Sequence, residues 1–570
     1  MIRRFRVALG LLTVGFAAVL TRLAYLQIWC HADLTARAAQ QAHRWVREAP
    51  RRAAIVDRHG APLVESVASA SCYVDPTLLG HPHTAAARLG AALDLDPARL
   101  ARAFQEARGS FLWVRRQLTP EQTSAVEKEN LRGVGLVWEY RRIYPNGDLA
   151  APLLGRVGED GRGLSGLEHA FDEDLLDRRP ARRALRDGKG RRLAVDSLEP
   201  EIDGGRGLRL SLDRTLQYIA ERELDLGLRR SRAKGGAVVI QDVRTGEILA
   251  LAGRPRFSFS DPTVDLEDLQ VRATQWVFEP GSTFKLITAA AAIDQGRVRT
   301  DELFNCEGGS WKVAGVEIND HEPERVISFA HVMEVSSNIG FAKLGLRLGK
   351  ESLYDFTRAF GFGTRTGCEL PGESPGLLRP PARWSGTSLP ILSFGQEIGV
   401  TALQLAGAYT AVANGGLLLE PRLCLDAQWP NGGQQRWSLP AVVRRVIRPE
   451  TARILTRVLE GVVTRGTGQE AAVAGWTVAG KTGTAQKIDP LTRAYSPDKN
   501  VASFCGYVPA RQPRLTIVVV LDEPTGVTWG GYNAGPVFRN IAAQAMTRLA
   551  VPPDPPPSLV RAPEKGRGQT

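Results

Sequence analysis

The chain has 570 residues, room for two or three domains with sizeable cores, and carries 73 Lys and Arg against 61 Asp and Glu, a formal charge of +12. That excess raises a nucleic-acid reading, which the order of the chain excludes. An N-terminal apolar span puts the basic residues outside a membrane, where they face anionic headgroups, acidic polymers or partner proteins. Six cysteines, at 30, 72, 306, 368, 424 and 505, are too scattered for a metal-ligand spacing, and their pairing is not deducible.

Met1 to Arg6 holds three arginines, Val7 to Thr21 is uncharged, Arg22 interrupts, and Leu23 to Trp29 resumes the apolar run. About 20 such residues cross a bilayer, an Arg near the end snorkels, and Trp29 suits the interface. No small-x-small cleavage site follows the apolar core, and Trp29 before Cys30 is too bulky for lipoprotein processing. Residues 1–29 are therefore expected to be an uncleaved single-pass anchor, N-terminus cytoplasmic and everything after residue 30 outside.

Residues 30–205 carry no catalytic constellation. Within them, Arg52 to Gly60 reads as a strand and turn in which Asp57 and its flanking arginines are expected to form an ion-pair cluster. Arg178 to Arg192, with eight basic residues and one acidic, reads as a solvated arginine-rich loop, and Glu199 to Gly207 as a linker. Then Leu208 to Leu212 predicts a strand, Arg214 to Leu228 a helix, and Ala237 to Ile240 with Glu247 to Leu251 a hairpin about Thr245-Gly246. Glu279-Pro280-Gly281 marks a turn before Ser282, and Leu286 to Ala292 a buried helix. Ser328 to Val335 and Ile339 to Leu348 read as helices with Ser336-Ser337-Asn338 in the turn between them, and Trp476 to Gly480 alternates like a strand ahead of Lys481. Ala502 to Val508 and Leu515 to Leu521 are further strands, and Pro536 to Leu549 a closing helix. Strands at both ends of residues 206–550 enclose a helical middle, which predicts an α+β domain, an antiparallel sheet packed with helices. The proline-rich stretch 551–570 is too polar to pack and is expected to be disordered.

Three strings in this order carry chemistry: Ser282-Thr283-Phe284-Lys285, Ser336-Ser337-Asn338 and Lys481-Thr482-Gly483-Thr484. Residues three apart share a helix face, so the Lys285 amine can reach the Ser282 hydroxyl, and the first-turn amides favour developing negative charge. A lysine is a base only when neutral, which burial and a neighbouring cation promote; Lys481 is the candidate cation. Ser336 can pass a proton to a leaving amine, and the Asn338 amide can bond both Lys285 and a substrate backbone. Gly480 and Gly483 are expected to let a substrate strand approach closely.

On these strings the chain resembles the class B penicillin-binding proteins, peptidoglycan D,D-transpeptidases, and among them the septal, FtsI-like type. The resemblance extends to Arg52 to Gly60, with Ala53 where glycine is usual, to Arg142-Ile143-Tyr144-Pro145 and to Gly163 to Glu168. It implies a transmembrane helix, a non-catalytic, elongated pedestal of dimerisation-domain type over 30–205 and a β-lactamase-like transpeptidase domain over 206–550. It further implies Ser282 as acylated nucleophile, Lys285 as general base, Ser336 and Asn338 as relay and positioning pair, and Lys481 as source of the electrostatic field. Thr482, Gly483 and Thr484 would bind the donor peptide, and the backbone N–H groups of Ser282 and Thr484 would form the oxyanion hole. No cofactor or metal is implied. The implied partners are stem peptides ending in D-Ala-D-Ala, β-lactams, an FtsW-like membrane glycosyltransferase and other divisome proteins at the bacterial cytoplasmic membrane, with no nucleic acid.

Other functions stay open on the same strings. An elongation-type transpeptidase, a D,D-carboxypeptidase and a β-lactamase share them. A bifunctional enzyme would carry a Glu-Asp-x-x-Phe string before the transpeptidase, and none occurs between residues 30 and 205. A β-lactam sensor would need an intracellular signalling domain, whereas about six residues precede the apolar span.

Overall fold

The computed structural model describes residues 2–46, 51–176, 182–186, 192–195, 205–261, 263–428, 433–436, 441–489, 491–492 and 494–554. Ile2–Ala24 is helical and continues through a wider turn to Trp29; its apolar side chains are exposed along the whole length, and it is long and apolar enough to cross a bilayer.

The chain divides into two compact units, and the division interleaves along the sequence. The first comprises Met1–Arg51, Val67–Arg141 and Asp177–Gly204. Its core is built by three short helices, Pro82–Leu93, Pro97–Glu106 and Pro120–Glu129, each opening on a proline whose missing N–H is no loss at a helix start. Asp96 and Thr119 cap the second and third, Thr119 in a reciprocal capping box with Gln122. Their buried Leu89, Leu93, Phe104 and Val126 pack with Cys72 and Val74. Of the Arg178 to Arg192 run, Arg182–Arg186 forms a strand between His43–Val46 and Arg192–Val195, a backbone pairing that the loop reading missed. The rest of that run lies outside the described residues, as do 199–204 of the linker.

The second unit comprises Arg52–Ser66, Arg142–Leu176 and Gly205–Thr570. The strings at Arg52 to Gly60, Arg142 to Pro145 and Gly163 to Glu168 therefore pack with the unit that carries the three chemical strings. The expected ion-pair cluster at Asp57 is not what they form. Asp57 accepts backbone N–H bonds from His59 and Ala61 and so closes its own turn, while Arg58 pairs with Glu247. Arg52 and Arg142 instead converge on the fully buried Glu168, at 2.6 and 2.8 Å, with Asp172 on the far side of Arg52.

A five-stranded antiparallel sheet centres this unit: β1 (Gly235–Asp242), β2 (Ile248–Arg254), β3 (Ala479–Ile488), β4 (Tyr495–Val508) and β5 (Leu515–Asp522), in spatial order β2-β1-β5-β4-β3. Alternate residues serve two cores, so β5 reads as one apolar run. Val238, Ile240, Ile517 and Val519 meet the helices Arg214–Ser231 and Gly530–Arg548. Val239, Val518 and Val520 face the core that also takes in Lys285–Asp294, Ala402–Ala413 and Pro449–Thr464.

Three boundaries differ from the sequence reading. The strand expected at Trp476 to Gly480 starts at Ala479 and runs to Ile488, so Lys481 to Thr484 lie inside it. Upstream, Val473 and Trp476 close a tight turn with Gly475 at φ 90°. The closing helix starts at Gly530, six residues before the expected Pro536, which sits inside it. Gly-Gly and Pro read as breakers, yet burial of Gly530 to Val537 except Tyr532 holds the helix across them. Val551 to Asp554 are held to the domain: Val551 packs against the core, the Asp554 carboxylate accepts from Thr477 N–H and O–H, both at 2.6 Å, and Trp476 Nε1 donates to Pro552 O. Residues 555–570 of the expected disordered tail lie outside the described residues. All six cysteines are free, five of them buried.

Candidate active site

The nucleophile string opens as a tight turn, Gly281–Phe284, that runs into the helix Lys285–Asp294. Gly281 is left-handed, φ 51°, and a Cβ there would meet Thr484 O at 2.8 Å. Thr283 Oγ1 donates to Pro280 O, and the buried Tyr409 hydroxyl donates to Thr283 O, so the turn is pinned from both sides. Gly281 N–H donates to Gly395 O at 3.0 Å, seating it against the Ser393 to Gln396 turn. Every residue from Lys285 to Ile293 is buried; the alanines at 289–292 are small enough to bring neighbouring helices close, and Lys285 is carried inside with them.

β3 is the edge strand of the sheet beside this turn. The glycines on it are required by the packing of the protein itself. A Cβ on Gly483 would lie 2.4 Å from Ser503 Oγ, 2.8 Å from Thr283 Cγ2 and 2.9 Å from Pro280 O; one on Gly480 would strike the Phe504 ring at 2.6 Å.

Between the helices Phe329–Glu334 and Asn338–Leu348, Ser336 adopts φ 63°, a conformation unfavourable for a residue with a Cβ, and this aims the turn into the cleft. Lys285 Nζ donates to Ser336 O at 2.6 Å, Ser336 Oγ at 3.1 Å and Asn338 Oδ1 at 2.8 Å. Among the described residues, its hydrogen bonds go to Ser336 and Asn338 and none to Ser282 Oγ. The turn is held from behind by Asp320, which the sequence reading did not single out. Its carboxylate accepts from Ser337 Oγ (2.5 Å), Asn338 N–H (2.5 Å) and Ile339 N–H (3.0 Å), while Ser337 Oγ caps the helix at Gly340. A single Asp between a hairpin and a loop gives no periodic signal, so only the fold brings it to the site.

The electrostatics revolve around two fully buried lysines. Burial pushes the Lys285 amine down to about 7, against the opposing pull of Asp320. Lys481 is held well below its usual range by burial, with the charge of Lys285 adding to it, and its amine has two longer contacts, Thr482 O at 3.2 Å and Oγ1 at 3.3 Å. The charge of either lysine disfavours the charge of the other. Lys285, with three close acceptors and a carboxylate nearby, is the better proton holder, and desolvation alone suffices to depress it.

Glu279, three residues ahead of Ser282, was quoted only as part of a turn. Its Oε1 accepts from Glu397 N–H at 3.0 Å and from the Tyr495 hydroxyl at 3.2 Å, Oε2 is buried without a hydrogen-bond partner among the described residues, and burial raises the carboxyl to about 7.

These elements enclose a cleft of about 580 Å³. Ser282, Ser336 and Asn338 line it together with Thr482 and Thr484; Lys285 and Lys481 lie behind the wall. Thr482 Oγ1 is 2.8 Å from Thr467 Oγ1, and Thr484 Oγ1 accepts from Gly530 N–H at 3.1 Å. At the mouth, the His321 and Trp529 rings meet edge-on, centroids 4.1 Å apart. A serine hydroxyl, a lysine amine that is about half neutral at pH 7 and a second hydroxyl on that amine together suit acyl transfer.

Comparison with known proteins agrees with this chemistry. Residues 236–543 match the penicillin binding protein transpeptidase domain, and residues 47–206 match the penicillin-binding protein dimerisation domain. The chain is 33% identical over 562 residues to the probable peptidoglycan D,D-transpeptidase PenA of Neisseria gonorrhoeae, covering 97% of this chain and 94% of that protein. To the peptidoglycan D,D-transpeptidase FtsI of Escherichia coli it is 31% identical over 563 residues, covering 97% and 92%. The crystal structure of penicillin binding protein 3 from Mycobacterium tuberculosis complexed with aztreonam superposes with a TM-score of 0.68 at 30% identity, covering 89% of this chain and 98% of that one.

Proposed function

Because the chain belongs to the class B penicillin-binding proteins and is a peptidoglycan D,D-transpeptidase, we propose that Ser282 is its acylated nucleophile and that it acts in septal cell-wall synthesis. The observation that carries the site assignment is the buried Lys285 amine bonded to Ser336 and Asn338 behind a cleft lined by Ser282.

Neutral Lys285 takes the Ser282 proton as Oγ attacks the carbonyl of the penultimate D-Ala of a stem peptide, or the carbonyl of a β-lactam ring. Ser336, on the same amine, hands a proton to the departing nitrogen. Asn338 holds Lys285 in place and offers its amide to the peptide backbone. The two lysines act as a coupled pair: while Lys285 is charged Lys481 is driven neutral, and when Lys285 is neutral Lys481 can carry the positive charge that draws the donor's terminal carboxylate to Thr482 and Thr484. The N–H groups of Ser282 and Thr484 receive the oxyanion; a donor of this kind contributes about 3 kcal/mol to transition-state stabilisation. Gly483 serves the site by letting the nucleophile turn lie on β3.

Given glycan polymer bearing D-Ala-D-Ala pentapeptides, the protein should form penicillin-sensitive cross-links to a side-chain amine of a second stem. Release of D-Ala with no cross-linked product would move it to the D,D-carboxypeptidases.

The septal role is supported by Glu279-Pro280-Gly281, by Ser393 to Gln396 with Thr401 to Gln404 and by Tyr495 to Val508, all of which resemble the septal subgroup, and by the FtsI relative. The anchor Ile2–Trp29 lies in the cytoplasmic membrane with Arg3, Arg4 and Arg6 on the cytoplasmic side, and an FtsW-like glycosyltransferase supplies the glycan strands. A fluorescent fusion should concentrate at mid-cell. Side-wall localisation, with rounding on depletion in a rod-shaped host, would assign the protein to elongation.

A further inference from the structure

We propose that the cleft wall formed by Glu322, His321 and Trp529 is the acceptor subsite, with the Glu322 carboxylate receiving the ammonium of the incoming stem; this rests on the transpeptidase mechanism given above for Ser282.

Two observations lead there. The first is charge. Among the described residues lining the cleft, Asp320 and Glu322 are the only ones with formally charged side chains, and no lysine or arginine lines it. The Asp320 carboxylate is occupied by the Ser337 to Ile339 backbone and hydroxyl donors. The Glu322 side chain is exposed and has no hydrogen bond or ion pair among the described residues. An aliphatic amine is an ammonium at neutral pH, and behind Ser282 stands the Lys285–Lys481 pair, whose shared positive charge repels it. A free carboxylate at the mouth offsets that repulsion. The exposed Trp529 and Tyr532 rings, which line the same cleft, add faces that attract a cation.

The second observation is position. A Cβ on Gly531 would lie 3.3 Å from Thr482 Cγ2 and 2.4 Å from Thr467 O, so the start of the last helix stands directly on the Thr482 end of the cleft. Trp529, the residue immediately before that helix, touches His321, which adjoins Glu322. With the donor's terminal carboxylate on Thr482 and Thr484, this wall borders the D-Ala that leaves. By microscopic reversibility the acceptor nitrogen attacks along the path on which the leaving nitrogen departed, and so enters the space beside this wall.

The bond changes do not involve Glu322. The ammonium gives one proton to water on entry and attacks the Ser282 ester as the free amine. The C–N bond forms, and the second nitrogen-bound proton passes by Ser336 to the Lys285 amine. Collapse breaks the ester C–O bond, and Ser282 Oγ takes that proton back.

The test uses the full-length protein in detergent with an N-acyl-D-alanyl thioester as donor, and compares two nucleophiles: Nα-acetyl-lysine amide, cationic at pH 7, and hydroxylamine, neutral there. Penicillin labelling of Ser282 and thioester hydrolysis should stay within about twofold in Glu322→Gln. The KM for the lysine amide should rise about five- to tenfold, and further in Glu322→Lys, while transfer to hydroxylamine is unchanged. The wild-type KM for the lysine amide should climb with salt and that of Glu322→Gln should not. An unchanged lysine-amide KM, or an equal loss for both nucleophiles, would overturn the subsite. A fall in donor acylation would overturn it too, by placing Glu322 on the donor side. Wild-type protein that takes no penicillin at Ser282 would instead fail the underlying mechanism.

Discussion

Asp320→Asn separates two things that one carboxylate does. It accepts three hydrogen bonds from the Ser337 to Ile339 turn, and its charge raises the Lys285 amine against the burial that lowers it to about 7. Asparagine is isosteric: its oxygen can keep the Asn338 and Ile339 N–H donors, and its NH2 can donate to Ser337 Oγ. What disappears is the charge assistance, so the fold should lose about 1–3 kcal/mol, well short of the loss expected when all three bonds go. The Lys285 amine then loses the group that favours its protonated form and becomes neutral at lower pH. Since the neutral amine is the base, the rising limb of acylation, near pH 7 in the wild type, should move toward acid in the variant. The limb belongs to the Lys285–Lys481 pair, whose other facing group is the Cys306 thiol. The assay is the rate of fluorescent penicillin acylation from about pH 5.5 to about pH 9, with thermal melts at each pH to show that the protein is folded. A limb that stays in place or moves toward base would refute the electrostatic reasoning.

Gly483→Ala should destabilise the catalytic unit by about 1–3 kcal/mol and slow acylation, because the new methyl would press on Pro280, Thr283 and Ser503; a melting temperature and rate equal to wild type would show that the nucleophile turn has room to move. Glu168→Gln removes the charge on which Arg52 and Arg142 converge in a fully buried place, with an expected loss of about 3–5 kcal/mol by denaturant midpoint; a loss under about 1 kcal/mol would mean that the arginines find other partners. Glu279 has a folded-state carboxyl raised to about 7 from a usual value near 4.5, so the folded state holds its proton longer than the unfolded one. Its contribution is fully present below about pH 4.5 and is lost as pH rises through about 7; Glu279→Gln should flatten that part of the stability profile, and an unaltered profile would contradict the burial argument.

The chemistry was legible because it is spelled in contiguous strings: Ser282 to Lys285 announces a turn and a helix, and the apolar run after it demands burial, which is what lowers the lysine. What was not legible depends on contacts far apart in the chain. Asp320 serves Ser337 and Asn338 from across a hairpin. Gly483 is glycine because Pro280 and Thr283 lie on it, a constraint invisible from the strand alone. The start of the last helix was hidden by Gly530-Gly531 and Pro536, local breakers overridden by burial, and with it went Trp529 and Tyr532 as cleft residues. The family resemblance placed Arg52 to Gly60 and Gly163 to Glu168 in the pedestal over 30–205. Their ion pairs through Glu168 and their membership of the catalytic unit are properties of packing.

The central claim is that Ser282 is the acyl-accepting nucleophile, and intact mass spectrometry of the full-length protein after incubation with penicillin tests it most directly. The account predicts one covalent adduct, mapped to Ser282 by peptide digestion, none in Ser282→Ala, and greatly slowed labelling in Lys285→Ala, since the two act as a unit. An adduct that persists in Ser282→Ala, or that maps to another residue, would contradict it.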